Sequence, residues 1–445
     1  MTTVLSNAFD VNVISGNFWA YATASVSGGR GLDPIYCSNL NNTGAGSLYA
    51  ISRGQFGNGA GPVVFEEGGV NDRDGISSTI RELVGSRTYY GNTAPGGFNV
   101  HGRSAILKTY ADNVLWKHLR IRATDTVGDP TPNLRDAALS ETHSNIIYDH
   151  CSFAYTSDEI VSAYRTAPDG GDNITFYRCI MGPPLANANH PDGAHPKGAT
   201  FVGQKRLAMV QCIQHITEGR PTIHPMGLDG NAVINNWFWG WNDKLLRFGR
   251  RVETANPDAY IRMQHNIFID SEGSEGAALI IESDVVGSMY FDGNWGFTSI
   301  QNDAGISIVD NTGTELENQS VNMITVRAEL EALLIADCGA NPTNRDEVDA
   351  RVITDVQLAT SPYISTNIPG RAYIDSMSDF VGMPTVSGQG THAAVHFESL
   401  QNRIERQDWY AVNRHTAYPG QEPKTYLEVY LDSFVNGTPP TDNSL

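Results

Sequence analysis

The chain has 445 residues, 40% of them apolar and only 18% charged, with a formal net charge of −19. That composition can bury a large core and is too poor in charge for a coiled coil or a solvating acidic tail. The charge excludes nucleic acid as a partner, because phosphate binding needs a basic face, and it requires any acidic substrate to be met by a cation or a local cluster of Arg and Lys.

Residues 1–35 read as an N-terminal segment or cap. The first ten have no basic n-region and no long apolar stretch, so no signal peptide is expected there. The chain would then reach the outside of its cell after loss of a signal or by another route, such as inside a virion or by lysis. No window approaches about 18 apolar residues, so no transmembrane helix and no membrane partner are expected. The five cysteines, an odd number in a long chain, imply no disulfide framework.

Residues 36–322 carry a repeat. The runs beginning Asn113-Val-Leu-Trp, Asn145-Ile-Ile-Tyr, Asn173-Ile-Thr-Phe and Arg206-Leu-Ala-Met are rich in β-branched and aromatic residues. Their seventh positions hold Leu119, Cys151, Cys179 and Cys212, and later runs place Asn236, Asn266 and Asn294 there. A spacing of roughly 22–33 residues, with Gly/Asn/Asp turns and no helical period between strands, predicts an all-β solenoid, a parallel β-helix. The three cysteines should stack as small apolar residues in adjacent rungs, and the three asparagines should form a hydrogen-bonded ladder. A metal site at the cysteines has no CxxC spacing to support it.

Residues 323–445 differ. The stretch from Val326 to Asp337 has helical periodicity before a Gly stop signal, and a second amphipathic helix is predicted from Arg345 to Leu358. A short helix near Thr425-Tyr-Leu-Glu follows. The tail is expected to pack along the solenoid and cover strands that would otherwise be exposed.

A second strand class precedes each Cys-position strand. Its segments begin Asp136-Ala-Ala-Leu-Ser, Asp158-Glu-Ile-Val-Ser, Lys197-Gly-Ala-Thr-Phe and Arg220-Pro-Thr-Ile-His. On successive rungs these heads become neighbours spanning on the order of 15 Å. The carboxylate end, Asp136, Asp158 and Glu159, with Asp125 and Asp129 from the loop before, suits Ca²⁺, a hard cation that takes several oxygens. Lys197 and Arg220 would grip uronate carboxylates. The competing reading is that Asp and Asn serve local turns and the cations are solvated. Consecutive strand residues point to opposite faces, so Asp158 and Glu159 are not expected to form the carboxylate pair that a hydrolase needs. The aromatic run Trp237-Phe-Trp-Gly-Trp is expected to put Trp237 in the core and leave Trp239 and Trp241 available to stack on sugar rings. Asn41 and Asn173 fit the glycosylation sequon, a pattern that a turn-rich chain produces by chance.

The ordered set resembles the pectate lyases of the right-handed parallel β-helix type, in the bacterial and fungal branch with a long C-terminal tail. The stretches that carry the likeness are Gly28-Gly-Arg-Gly-Leu-Asp-Pro, Ser38-Asn-Leu-Asn-Asn-Thr-Gly-Ala-Gly-Ser-Leu, Pro62-Val-Val-Phe-Glu, Asn145-Ile-Ile-Tyr-Asp-His-Cys-Ser-Phe, His195-Pro-Lys-Gly-Ala-Thr-Phe-Val-Gly, Arg345-Asp-Glu-Val-Asp-Ala-Arg-Val and Gly382-Met-Pro. The resemblance implies Ca²⁺-dependent β-elimination of polygalacturonate, with Asp136 and Asp158 as Ca²⁺ ligands, Lys197 on the substrate carboxylate and Arg220 as base. It implies an acidic polysaccharide as partner, a secreted enzyme, and a monomer. Some positions depart from the family pattern. Arg220 abuts Pro221, and Thr222 and His224 stand where further cations are expected, so Arg247, Arg250 or Arg251 would have to substitute. Ser162 replaces an Asp, with Glu159 as its stand-in, and Tyr49 replaces an Arg. These changes suit another uronate polymer as well as pectate. The other readings are a trimeric virion tail protein that binds or cuts a host polysaccharide, a glycoside hydrolase on the same fold, and a non-catalytic binding module.

Overall fold

The computed structural model describes residues 28–29, 32–40, 43–74, 79–103, 106–123, 136–164, 173–186, 190–204, 207–217, 222–225, 231–241, 246–249, 258–271, 279–283, 285–296, 300–305, 307–310, 324–358, 367–368, 377–384 and 426–438. Among the described residues the strands form three parallel sheets of eleven, nine and nine strands. The first sheet runs from Ile35–Cys37 to Ser307–Asp310, the second from Ile80–Glu82 to Ile300–Asn302, and the third from Gly69–Asp72 to Asn367–Ile368. Within most of the helix a strand bonds to the one three places later in the chain, so each rung gives one strand to each sheet. The fold is a parallel β-helix, as the repeat predicts. Its last third-sheet strand, Asn367–Ile368, comes from beyond residue 322 and pairs with Asp270–Ser271.

The bends between sheets explain the repeat. Asn113, Asn145 and Asn173 enter the first sheet with φ of 61°, 61° and 63°. This left-handed conformation costs asparagine less than most residues. Their side chains form a ladder, Asn145 Nδ2 donating to Asn113 Oδ1 at 3.0 Å and Asn173 Nδ2 to Asn145 Oδ1 at 2.7 Å. At the exit, His118, His150, Arg178, Gln211, Asn235 and His265 take the same left-handed turn, and the stacked position follows each of them.

Cys151, Cys179 and Cys212 are fully buried free thiols, stacked as expected. Each donates to a carbonyl one rung back, at Trp116, Tyr148 and Phe176. Burial pushes the Cys151 thiol up to about 12, so it is an inert packing group. The column then changes chemistry. Asn236 Oδ1 accepts from the Cys212 amide at 2.8 Å, Asn266 Oδ1 from the Asn236 amide at 2.9 Å, and Asn294 Oδ1 from the Asn266 amide at 3.0 Å. The side-chain amides of Asn236 and Asn266 donate to the Met209 and Val233 carbonyls. Inside the coil, Tyr89 stacks on Trp116 at 4.0 Å and Tyr148 on Phe176 at 4.9 Å.

Among the described residues four helices decorate the coil: α1 (Leu48–Ser52), α2 (Arg327–Asp337), α3 (Glu347–Gln357) and α4 (Tyr426–Asp432). Ser47 caps α1 by accepting from the Ala50 amide at 3.1 Å, and Asp346 caps α3 by accepting from the Asp349 amide at 2.9 Å. The apolar stripes of α2 and α3 (Leu330, Leu333, Leu334, Val348, Val352, Val356) pack on Ala154, Ile180, Ile213 and Ile267 of the third sheet. Beyond α2, Gly339 presses so close that a Cβ there would sit 2.8 Å from Ile180 Cδ1, and its φ is 97°. The α3 start meets two buried arginines of the third sheet. Arg122 bonds Asp346 at 2.9 Å and Asp349 at 2.8 Å, and Ser152 donates to Asp349 at 2.7 Å. Arg120 lies 3.8 Å from Asp349. Near α4, Lys117 bonds Asp432 at 2.6 Å, and Asn92 donates to the Leu431 carbonyl at 2.9 Å.

Two tryptophans correct the sequence reading. Trp239 and Trp241 are 1% and 2% exposed within strand Trp237–Trp241, and neither face is open to a sugar. Trp239 stacks on the buried His215 at 4.7 Å, under the C-terminal helices.

Two predictions follow from this docking. Arg122→Ala removes the guanidinium that bonds the buried Asp346 and Asp349 and should cost about 3–5 kcal/mol, read as a lower midpoint in denaturant unfolding. The second concerns His150, held between Asp149 at 2.5 Å and Asp337 at 3.5 Å. Although burial opposes the charged ring, these carboxylates raise its pKa to about 9 from an ordinary 6.5. Its contribution is then full below pH 6.5 and lost as pH rises through about 9. Thermal melts between pH 6 and 10 should show this loss, and His150→Gln should flatten it.

Candidate active site

Strand Ala138–Glu141 pairs with Glu159–Tyr164 through Ala138↔Val161, and the Ala137 amide donates to the Ile160 carbonyl at 3.0 Å. Asp136 therefore sits at the head of its strand, one rung from Glu159. The next rung pairs Glu159 with Lys197. Stacking thus brings Asp136, Glu159 and Lys197 together, with Asp158 beside them. The residue opposite Lys197 is Glu159, one position on from the Asp158 that the segment alignment placed there.

The carboxylate oxygens of Asp136, Asp158 and Glu159 lie within 4.8 Å of one another. This overturns the expectation that Asp158 and Glu159 face opposite ways. Strand alternation starts only at Glu159; Asp158 precedes it on the bend, where the chain still turns. Glu159 is 5% exposed and accepts from Thr200 Oγ1 at 3.0 Å. A cation about 2.3–2.6 Å from each oxygen reaches pairs up to about 5 Å apart, so the oxygen-only group fits a Ca²⁺-sized ion. Three carboxylates this close repel one another strongly, and a cation offsets that repulsion.

The second sheet presents a register column, Arg81–Lys108–Leu139–Ser162–Thr200–Thr222–Arg247. Burial alternates along the strands, so Arg81, Lys108 and Leu139 sit on the outer side while Ile80, Leu107 and Ala138 are in the core. Arg247 is exposed and ion-paired with Glu282. It stands on the rung after Thr222, where the departures in the sequence call for a cation, but its guanidinium is already engaged. Arg220, Arg250, Arg251, Asp125 and Asp129 lie outside the described residues. His224 is placed by its backbone alone, opposite Val202; its side chain is outside the description.

Two histidines join the site that the sequence reading did not single out as ligands. His190 Nε2 and His195 Nε2 lie 3.5 and 3.3 Å from Asp158 Oδ1. Their rings stack, with centroids 3.9 Å apart and planes within 7°. Burial and the neighbouring His195 lower the pKa of His190, which favours its neutral form. The signal was the pair His190-Pro-Asp-Gly-Ala-His195 just before the lysine strand. Its loop has no periodicity, so only the fold shows both rings turned to Asp158.

By its fold the chain is a parallel β-helix protein with a carboxylate and lysine cluster on one sheet. No protein-family model matches it. In sequence it is similar almost end to end to proteins named probable pectate lyase C. It is 26% identical over 432 residues to that of Emericella nidulans, covering 93% of this chain and 90% of the relative. It is 27% identical over 350 residues to that of Aspergillus terreus, covering 75% of each. Among solved structures it is similar to a point mutant of Bacillus subtilis pectate lyase, with 14% identity and a TM-score of 0.48 over 73% of this chain and 97% of that one.

The carboxylate group generates a third prediction. Millimolar Ca²⁺ should raise the melting temperature of the wild type, and Asp136→Asn with Glu159→Gln should abolish the rise. An equal rise in the double variant would place the ion elsewhere.

Proposed function

We propose that the chain is a polysaccharide lyase that cleaves polygalacturonate, or a related uronate polymer, by Ca²⁺-assisted β-elimination. The observation that carries this reading is the convergence of Asp136, Asp158 and Glu159 one rung from Lys197, in a chain similar over most of its length to proteins named as pectate lyases. A protein of charge −19 does not attract a polyanion unaided, and this cluster is where an offsetting cation would sit.

Elimination begins with removal of the C5 proton of a uronate, which is weakly acidic. Bound Ca²⁺ would neutralise the adjoining carboxylate and so lower the cost of the enolate-like charge. Asp136, Asp158 and Glu159 would hold that ion. Lys197 would bind the same substrate carboxylate and keep the sugar in register. Arg220 is the base that the resemblance assigns. A free guanidinium keeps its proton above about pH 12, so this role calls for neighbouring cations and alkaline conditions. Release of the C4 oxygen then leaves a 4,5-unsaturated end. Arg81 and Lys108 at one end of the outer column would line the path of further uronates. A polysaccharide of this class is met outside cells, which suits a secreted protein. Among the described residues no helix is long and apolar enough to cross a membrane.

The test is ultraviolet absorbance at the unsaturated-uronate band during incubation with polygalacturonate, with Ca²⁺ and then with EDTA. A Ca²⁺-dependent rise is expected, with Lys197→Ala lowering the rate by at least about a hundredfold, in line with loss of one charge-stabilising group. Saturated reducing ends without the absorbance change would mean hydrolysis instead. A flat trace on every uronate polymer would overturn the lyase reading.

A further inference from the structure

Asp158 faces two ligand sets. Toward Asp136 and Glu159 it meets only oxygen; toward His190 and His195 it meets two imidazole nitrogens, and these three residues again bring their ligand atoms within 4.8 Å of one another. We propose that Asp158, His190 and His195 bind a d-block divalent cation of the Zn²⁺ type, at a site that shares Asp158 with the oxygen group and therefore competes with Ca²⁺ for it.

The distances suit a metal site as well as they suit weak hydrogen bonds. The Nε2 to Oδ1 separations of 3.3 and 3.5 Å are longer than an ordinary N–H···O bond. They match the spacing of ligand atoms about 2.0–2.2 Å from a tetrahedral ion, which is about 3.3–3.5 Å. Two nitrogens and one carboxylate oxygen leave an open position and suit a borderline ion better than Ca²⁺, which takes oxygen ligands. The site is also sheltered. The side chains of His190, His195 and Asp158 are 4%, 14% and 15% exposed.

Loading the site requires two local adjustments. The Asp192 amide donates to His190 Nδ1 at 3.1 Å, which keeps the ring proton on Nε2, toward Asp158. A metal at Nε2 moves that proton to Nδ1, and the amide must let go. Residues 191–194, which carry that amide, form an exposed turn. The ring planes lie within 7° of each other and share no point near the nitrogens, so one ring must swing well out of the stack before both nitrogens can aim at one ion. The part of the proposal that concerns competition rests on the Ca²⁺ reading above; binding itself does not.

The experiment uses the full chain, stripped of metal, with Co²⁺ as probe. One equivalent should bind and give the strong visible absorption of a low-coordinate Co²⁺ site. His190→Gln with His195→Gln should weaken binding by at least about tenfold while the Ca²⁺-induced rise in melting temperature persists. Absence of Co²⁺ uptake, or equal uptake by the double variant, overturns the site. X-ray absorption on the Zn²⁺-loaded wild type gives a reading that needs no variant: two histidine nitrogens are expected, and a shell of oxygens alone overturns the assignment. Excess Ca²⁺ should raise the apparent Kd for Co²⁺, and indifference to Ca²⁺ overturns the sharing of Asp158. None of these readings uses turnover, so an inactive lyase assay would refute the proposed function and leave the metal result standing.

Discussion

Every rung must bend its chain between the first and third sheets without leaving a buried amide unpaired, and that one requirement organises the molecule. A residue in the left-handed conformation makes the bend, and the residue after it points into the coil with its amide facing the next rung. In the middle rungs a thiol fills that place and donates back to a carbonyl; in the later rungs an asparagine takes over and its side chain accepts from the previous amide. Both solutions hold the same register. The join between them is continuous, since the Cys212 amide is itself satisfied by Asn236. With the register locked at this corner, strand heads on the second sheet fall into line several residues away. The carboxylate cluster is a consequence of that alignment.

The same logic explains what the sequence could reveal. The stacked position was legible because it recurs at a fixed place in runs of similar length, and a solenoid turns such recurrence into contact. Asp136, Glu159 and Lys197 were legible for the same reason, though the alignment put Asp158 opposite Lys197. Strand heads lie on bends, where alternation has not begun, so a one-residue error there costs nothing in the hydrophobic pattern. Assuming that alternation already holds there also set Asp158 and Glu159 on opposite faces, although both were grouped at the carboxylate end. His190 and His195 were harder to place. They come from a segment with no period of its own, and its path over the sheet is set by tertiary contacts. Trp239 and Trp241 misled because aromatic residues near a polysaccharide site suggest stacking; in this chain Trp239 is roofed by α2 and α3, and Trp241 packs into the core of the coil.

The tail is bound to the coil by more than apolar packing. Arg120 and Arg122 point out of the third sheet and would be solvated cations on a bare solenoid. In the folded chain they are 2% and 0% exposed, because Asp346 and Asp349 arrive at the start of α3. A buried ion pair of this kind seldom adds much net stability over apolar packing, but it penalises any docking that leaves its charges unmatched. It therefore selects one seating for the helices. That seating puts Asp337, at the end of α2, against His150 and Arg178 on the turn column, so the corner that sets the register is also the corner that the tail grips.

This arrangement separates two electrostatic tasks. On the third sheet the cations are neutralised by the chain's own carboxylates and are unavailable to a ligand. On the second sheet the balance is reversed at the strand heads: Asp136, Asp158 and Glu159 gather within 4.8 Å, and the neighbouring rung contributes Lys197. Like charges at that separation raise the energy of the folded protein unless something positive joins them, and the acidic balance of the whole chain makes the imbalance worse. Retaining three carboxylates there makes physical sense if an external cation completes the site. The cation then also bridges an acidic protein to an acidic polymer, which the protein surface by itself would repel.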